Sequence, residues 1–395
     1  MKILMITPYL PYPLYSGGQI RSYNLIKNLS KKHEIILFSF MKEITPDHIL
    51  ELKKFCKDVF VFPRRRAFSP QNIILAALSP YPFLVAIYLS LSLRQKIREE
   101  LQKGNYDLIH AETFYVMPNI PKTKVPILLV EQTIEYLVYA HFVETVKFAP
   151  FKLPLLFDIS KIKFWESFYW KKADKVVAMS KSDKQEMRSL VPSLSCEIVP
   201  NGIDARVFSE VKKSKIANQT VLFVGNFSWL QNREAVFYLT ERIWPKIKKE
   251  MKHARLWIVG RNPTEKIKRL SSEDIKVDEN VSDIRQAYSS SQVLLAPIFG
   301  PGGTRFKILE AMASGLPVVT TPTGIEGIPV RNDHDVLIGN DALDLASATI
   351  RILKDDKLGE MLSTNSKKLV ETEFDWSVIS EKLDKVYKNV AREKH

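Results

Sequence analysis

Short apolar runs alternate with helix-length segments along almost the whole chain, and that alternation predicts parallel sheets with helices on both faces. In the first half the runs are KILMIT (2–7), EIILFSF (34–40), VFVF (59–62), DLIHA (107–111), PILLV (126–130) and KVVAMS (175–180). The second half repeats the scheme with TVLFVG (220–225), ARLWIVG (254–260), VLLAP (293–297) and PVVTT (317–321). Between them the polar stretch from Ala205 to Gln219 has no clear period and reads as a linker. The expected architecture is α/β, with two doubly wound Rossmann-like domains at 1–204 and 205–374. Apolar residues at helical spacing in DWSVISEKLDKVYKNV predict a helix over 375–392 that crosses back onto the first domain. Two such domains place a ligand cleft where the carboxyl ends of their strands face each other.

One stretch departs from the pattern. From Ala67 to Leu93 there are 27 residues without a formal charge, between Arg64-Arg65-Arg66 and the cations Arg94, Lys96 and Arg98. Its length would span a bilayer, but Pro80 and Pro82 interrupt it. A single crossing would also leave DLIHA on the wrong side of the sheet it must join. The prediction is a helical pair lying on or against the domain, either as core or as a membrane-surface contact. The basic-aromatic run 147–172 adds weight to the surface contact.

With 395 residues, 45% of them apolar, the chain has material for large hydrophobic cores. Cys56 and Cys196 are far apart, and no Cys/His cluster has zinc-ligand spacing, so a reduced cytoplasm is expected and no structural metal. The opening MKILMITPYLPYP is broken by Pro8, Pro11 and Pro13 and reads as a first strand, not a signal peptide. The net charge of +14 is uneven: residues 1–200 hold 28 Lys/Arg against 18 Asp/Glu, and residues 201–395 hold 30 against 26. The first half therefore favours anionic partners, a membrane surface among them. No nucleic-acid motif accompanies the charge, and nucleic acid is not an expected partner.

The sharpest chemistry lies in FGPGGTRFKILEAMASGLPVVTT (299–321), a glycine-rich turn that opens a helix and leads to a buried strand. Such a turn offers backbone N–H groups and the positive end of a helix dipole to an anion. Gly302 and Gly303 admit a phosphate, Thr304 borders it, and Arg305 and Lys307 add two full charges. Glu310 lies one turn further on, placed to accept from a pair of sugar hydroxyls; the alternative is that it caps local N–H groups and that Arg305 and Lys307 form a solvated helix face.

With TPYLPYPLYSGGQIRSYNLIKNLSKKHEI, ADKVVAMSKSDKQEM, IVPNGIDARVF, VLFVGNFSWLQNREAVFYL and GTRFKILEAMASGLPVVTT, the chain resembles the retaining glycosyltransferases of the GT-B fold, family 4, over nearly its entire length. The G-T-R-x-K run before the glutamate is similar to a branch found among exopolysaccharide sugar transferases. The resemblance implies a nucleoside-diphosphate-sugar donor on the second domain, an acceptor on the first, and no metal or other cofactor. Three positions depart from the family pattern. Of its glutamate pair Glu310 matches the second, while Gly302 stands at the first. Asn226 and Asn232 stand where an Arg and a Lys are usual, so Arg305 and Lys307 are expected to replace that charge. Gln132, flanked by Glu131 and Glu135 in VEQTIE, occupies the slot of a functional His.

The expected donor side is thus Gly18, Gly225, Asn226, Gly302, Gly303, Thr304, Arg305, Lys307 and Glu310, with Arg305, Lys307, Gln132 and Glu131 closest to the chemistry. Gly17, His110 and Glu135 fall on the acceptor side, His110 being either a core-edge histidine or a cleft residue. Gly17-Gly18 follow the first strand and open a helix, so their N–H groups face either the donor diphosphate or the acceptor. NDHD (332–335) reads as a polar turn and PNGID as a turn between domains. The expected activity is transfer of a sugar from a UDP- or GDP-linked donor to a saccharide or lipid-linked acceptor with retention, in cell-surface polysaccharide or glycolipid synthesis. The expected place is cytoplasmic, peripheral on the inner face of the plasma membrane. A sugar-nucleotide 2-epimerase-type enzyme of similar architecture and a non-catalytic nucleotide-sugar-binding protein are the alternatives.

Overall fold

The computed structural model describes residues 1–41, 45–67, 69–210, 219–279, 281–300 and 306–393. The chain divides into two compact units, Met1–Asn201 with Ile379–His395, and Gly202–Val378. The division falls just before the boundary expected at 204/205. Ile203 goes with the second unit because its N–H donates to the Phe374 carbonyl at 2.8 Å and it bridges Asp375. Part of the expected linker is a short helix, Ala205–Ser209, whose first turn is capped by Asp204 accepting from the Val207 N–H. Residues 211–218 lie outside the described residues.

In the first unit seven parallel strands, β1 (Lys2–Thr7), β2 (Glu34–Met41), β3 (Asp58–Pro63), β4 (Leu108–Glu112), β5 (Ile127–Val130), β6 (Lys175–Ala178) and β7 (Cys196–Ile198), run in the order β3-β2-β1-β4-β5-β6-β7. Ile3 aligns with Ile35 on one side and Leu108 on the other, so β1 is buried between two neighbours. That explains its unbroken apolar run: a parallel strand covered on both faces needs no polar alternation. Leu4, Ile6, Ile36, Phe38, Leu129 and Val176 build one side of the core. The final helix, Trp376–Glu393, buries Leu383, Tyr387 and Val390 at helical spacing. His33 Nε2 and Asp384 Oδ1, 2.8 Å apart, fasten that helix within the first unit.

The second unit holds β8 (Thr220–Val224), β9 (Arg255–Val259), β10 (Ile275–Asp278), β11 (Val293–Ala296), β12 (Val318–Thr320) and β13 (Leu337–Ile338), in the order β10-β9-β8-β11-β12-β13. Three strands have no counterpart among the runs read from the sequence, namely β7, β10 and β13. All three are sheet edges. An edge strand has one neighbour and needs fewer apolar residues, which is why IKVD and CEI carry charges.

The uncharged stretch after Arg66 forms two short helices, Pro70–Leu78 and Phe83–Tyr88. The second is core, with Leu84 to Tyr88 all buried, whereas the first leaves Ile73, Ile74 and Leu78 exposed. No helix among the described residues is long and apolar enough to cross a membrane.

Candidate functional site

In an open parallel sheet, ligands bind outside the carboxyl ends of the strands where the strand order reverses. For the second unit that point lies between β8 and β11. The loop after β8 carries Gly225 and Asn226, and the segment after β11 leads into helix Phe306–Ala313 with Lys307 and Glu310. Gly260 lets the loops after β8 and β9 touch, since a Cβ there would fall 1.7 Å from the Gly225 carbonyl oxygen.

Lys307 Nζ donates to Asn232 Oδ1 at 2.5 Å and lies 4.6 Å from the Phe223 ring centre. Asn232 Nδ2 in turn donates to the Asn226 carbonyl at 2.7 Å. The Lys307 ammonium therefore stands beside Asn232, one of two positions where a cation is missing from the primary sequence pattern. Glu310 is partly buried and Tyr288 donates its hydroxyl to Oε2 at 2.6 Å. Burial pushes the Glu310 carboxyl up, outweighing that hydrogen bond and the charge of Lys307. Its Oε1 has no hydrogen bond among the described residues. Gly302, Gly303, Thr304 and Arg305 lie outside the described residues.

The first unit reverses its strand order between β1 and β4. At those strand ends a chain of side chains is joined by hydrogen bonds. Tyr9 Oη donates to Gln132 Oε1 at 2.9 Å, and Gln132 Nε2 donates to Glu112 Oε2 at 2.6 Å. His110 Nε2 lies 3.0 Å from Glu112 Oε1, and His110 Nδ1 lies 2.5 Å from the Tyr387 hydroxyl. Burial pushes the Glu112 carboxyl up, but His110, the charge of Arg21 and Gln132 together hold it below its ordinary value. Arg21 is fully buried and donates to the carbonyls of Val199 and Pro200 and to Asn201 Oδ1. Thr113, next to Glu112, takes φ 72°, a strained conformation for a β-branched residue that costs roughly 1–3 kcal/mol.

Two family models match the chain: one described as Glycosyltransferase Family 4 over residues 15–207, the other as glycosyl transferases group 1 over residues 218–355. Together they run over most of its length. The chain belongs to glycosyltransferase family 4. It is similar to an uncharacterized protein of the Klebsiella pneumoniae cps region, 22% identical over 95% of this chain and 96% of that one. It is also similar to a Mycobacterium leprae phosphatidyl-myo-inositol mannosyltransferase, 24% identical over 82% of this chain and 85% of that one. Among solved structures it resembles Anabaena HepE in complex with UDP and glucose, with TM-score 0.65 and 16% identity over 98% of this chain and 100% of that one. That last likeness shows the GT-B fold.

Within this glycosyltransferase the residues expected at the site divide sharply. Asn226, Gly225, Lys307 and Glu310 gather at one switch point; Gly17, Gly18, Gln132 and the network behind it gather at the other. Gly18 sits directly over the Tyr9–Gln132 hydrogen bond, where a Cβ would fall 1.9 Å from Tyr9 Oη and 2.6 Å from Gln132 Oε1. The glycine is therefore required by side-chain packing, a reason the sequence does not display. His110 lies within β4, fully buried between Tyr387 and Glu112, which fits the core-edge reading of this histidine and not the cleft reading. A ring so enclosed reaches the surface only through Glu112 and Gln132, and the direct acceptor contact expected of it is not where the structure puts it.

Glu131 is likewise enclosed, with Oε1 accepting from Trp170 Nε1 at 3.1 Å and Oε2 without a partner among the described residues. Burial, and the neighbouring Glu166, raise its carboxyl well above the ordinary range. Glu135 opens helix Glu135–Thr145, and burial pushes its carboxyl up to about 7. Tyr9, Arg21, Glu112 and Tyr288 are parts of the two sites that sequence reading missed. Of these only Arg21 leaves a signal, as a charge on the buried stripe with Leu25 and Leu29.

Proposed function

We propose that the chain transfers a sugar from a UDP- or GDP-linked donor to a saccharide or lipid-linked acceptor, with retention at the anomeric carbon, in the making of a cell-surface polysaccharide or glycolipid. The observation that carries this reading is the Lys307 ammonium, held by Asn232 at the switch point of the second unit, with Glu310 one helical turn away. Lys307, with Arg305 by family resemblance, meets the donor diphosphate. Glu310, aligned by Tyr288, accepts from the nucleotide ribose hydroxyls. The bond between the anomeric carbon and the β-phosphate oxygen breaks, and its electron pair goes to that oxygen. The acceptor hydroxyl attacks from the face the phosphate leaves and passes its proton to the departing phosphate. Negative charge grows on the diphosphate as the bond breaks, so a fixed cation stabilises the transition state more than the bound donor. The reaction takes no metal ion in this reading. Gln132, fixed by Tyr9 and Glu112, serves the sugar-facing side of the first unit.

The HepE structure with UDP and glucose supports a UDP-linked donor. The cps-region relative supports a role in polysaccharide synthesis, and the phosphatidyl-myo-inositol mannosyltransferase supports a lipid-linked acceptor. The test is incubation of the protein with a panel of nucleotide sugars, with and without a membrane lipid extract. Acceptor-dependent nucleotide release with an axial or equatorial linkage matching the donor anomer is the expected result. Isomerised sugar nucleotide without acceptor indicates the epimerase instead, and binding without turnover indicates a binding protein.

A further inference from the structure

Two helices of the first unit carry more than half of its exposed large apolar side chains. Helix Ala149–Lys172 carries Leu153 at 72% exposure, Phe157 at 64% and Phe164 at 62%, with Phe168 one turn beyond. Their spacing puts them on one helical stripe. Helix Pro70–Leu78 adds Ile73 and Leu78, the latter 85% exposed. The two helices are tied together. Lys161 Nζ donates to the carbonyls of Ala76 and Ser79 at 2.7 and 2.9 Å, and Trp165 Nε1 donates to that of Pro80 at 2.9 Å. These bonds hold the two helices together, and exposed apolar side chains on both mark an interaction surface.

Charge around the patch is one-sided. No Asp or Glu occurs between Val59 and Arg98, while Arg65 and Arg66 are exposed. The two acids of helix Ala149–Lys172 are spent inside the fold. Asp158 accepts from the Phe83 N–H at 2.9 Å, and Glu166 from the N–H groups of Glu135 and Tyr136 at 2.7 and 3.1 Å. Lys163, Lys171 and Lys172 stay exposed on the same helix. On the neighbouring helix Glu144 is an exposed acid, 3.7 Å from His141 Nδ1, which offsets it only when protonated. Apolar side chains framed by exposed cations match an anionic lipid surface, with acyl chains for the first and phosphates for the second. A two-fold dimer through this face would instead set like charges against each other.

We propose that this face docks peripherally on an anionic bilayer, with Leu153, Phe157 and Phe164 entering the headgroup boundary and Lys163, Lys171 and Lys172 binding lipid phosphates. The proposal is independent of the transfer chemistry. It is tested by co-sedimenting the full chain with vesicles of phosphatidylcholine alone and of phosphatidylcholine mixed with phosphatidylglycerol. Binding is expected to the mixed vesicles at low salt and to fall as salt screens the cations. Lys171→Glu/Lys172→Glu should weaken it by about tenfold or more, and Phe157→Ser/Phe164→Ser by about tenfold, without lowering the unfolding temperature. Because Cys56 and Cys196 are buried, an environment-sensitive dye on Phe157→Cys reports this face alone. Its emission should shift to the blue on mixed vesicles, while the same dye on Met361→Cys in the second unit should not respond. Equal sedimentation with both vesicle types, or binding unchanged in both double variants, overturns the proposal. So does a concentration-dependent dimer lost in those variants without vesicle binding, which would make the face a self-interface.

Discussion

The carboxyl ends of the two sheets solve the same topological problem differently. In the first unit the polar side chains at the switch point satisfy one another, from Tyr9 through Gln132, Glu112 and His110 to Tyr387. In the second, Lys307 and Glu310 are each steadied by a side chain from a neighbouring element and keep their charged heads near the strand ends. A buried hydrogen-bonded network fixes shape, whereas Lys307, beside a neutral amide and the Glu310 carboxyl, holds a fixed charge at the strand ends. In the proposed reaction the first unit positions and the second unit meets charge.

The largest expected effect sharpens the second half of that contrast. Lys307→Ala should lower turnover by about 100-fold to 1,000-fold, as losing one preorganised donor does at an oxyanion site. Steady-state kinetics check it, with Lys307→Arg as the charge-conserving control. Glu310→Gln should act mainly on donor KM, because a ribose contact changes little as the glycosidic bond breaks.

In the first unit, Gly18→Val should displace Tyr9 from Gln132 and cost on the order of 100-fold in turnover, since misplacing a positioning group by about 1 Å is enough. The clash should also lower stability by about 1–3 kcal/mol, so turnover is compared on protein shown to be folded. Unchanged turnover in a folded Gly18→Val protein breaks the comparison, because the network would then position nothing.

Burial raises the Glu135 carboxyl to about 7, above its unfolded value. Below the unfolded value both states hold the proton and the group costs nothing. As pH rises towards 7 the unfolded chain releases that proton first, so stability falls across this window. The loss should be on the order of 2 kcal/mol, reduced by the partial exposure of the side chain. Glu135→Gln should flatten the profile of denaturant midpoint against pH; an unaltered slope would show that Glu131 or Glu166 carries it.

The smallest expected effect is that of Tyr387→Phe. Removing its hydroxyl from His110 should cost about 1 kcal/mol in equilibrium unfolding and leave donor KM unmoved. A large change in KM would place the far end of the network in contact with the ligand chemistry.

The fold was legible where strands are buried on both faces, because there the apolar run is unbroken, as in KILMIT and VLLAP. It was illegible at β7, β10 and β13, where an edge strand is paid little attention by hydrophobic selection and IKVD resembles a loop. The end of β4 shifts from Ala111 to Glu112 because burial on both faces removes the alternation that marks a last strand residue. At the candidate site, Lys307 was legible as a cation displaced from the Asn232 position, since both lie in readable motifs. The partners of Gln132 and Glu310 were not. Tyr9 stands 123 residues from Gln132, and only the order of the strands brings them together. Tyr288 looks like any apolar residue of a short helix until its hydroxyl is seen on Glu310.

The measurement that bears most directly on the division of labour is hydrogen exchange of the full chain with and without uridine diphosphate. The predicted result is slowed exchange in residues 225–232 and 306–313, the two segments that meet at the Lys307–Asn232 contact. Protection confined to the first unit, around residues 16–22 and 132–136, with none at those two segments, would contradict it.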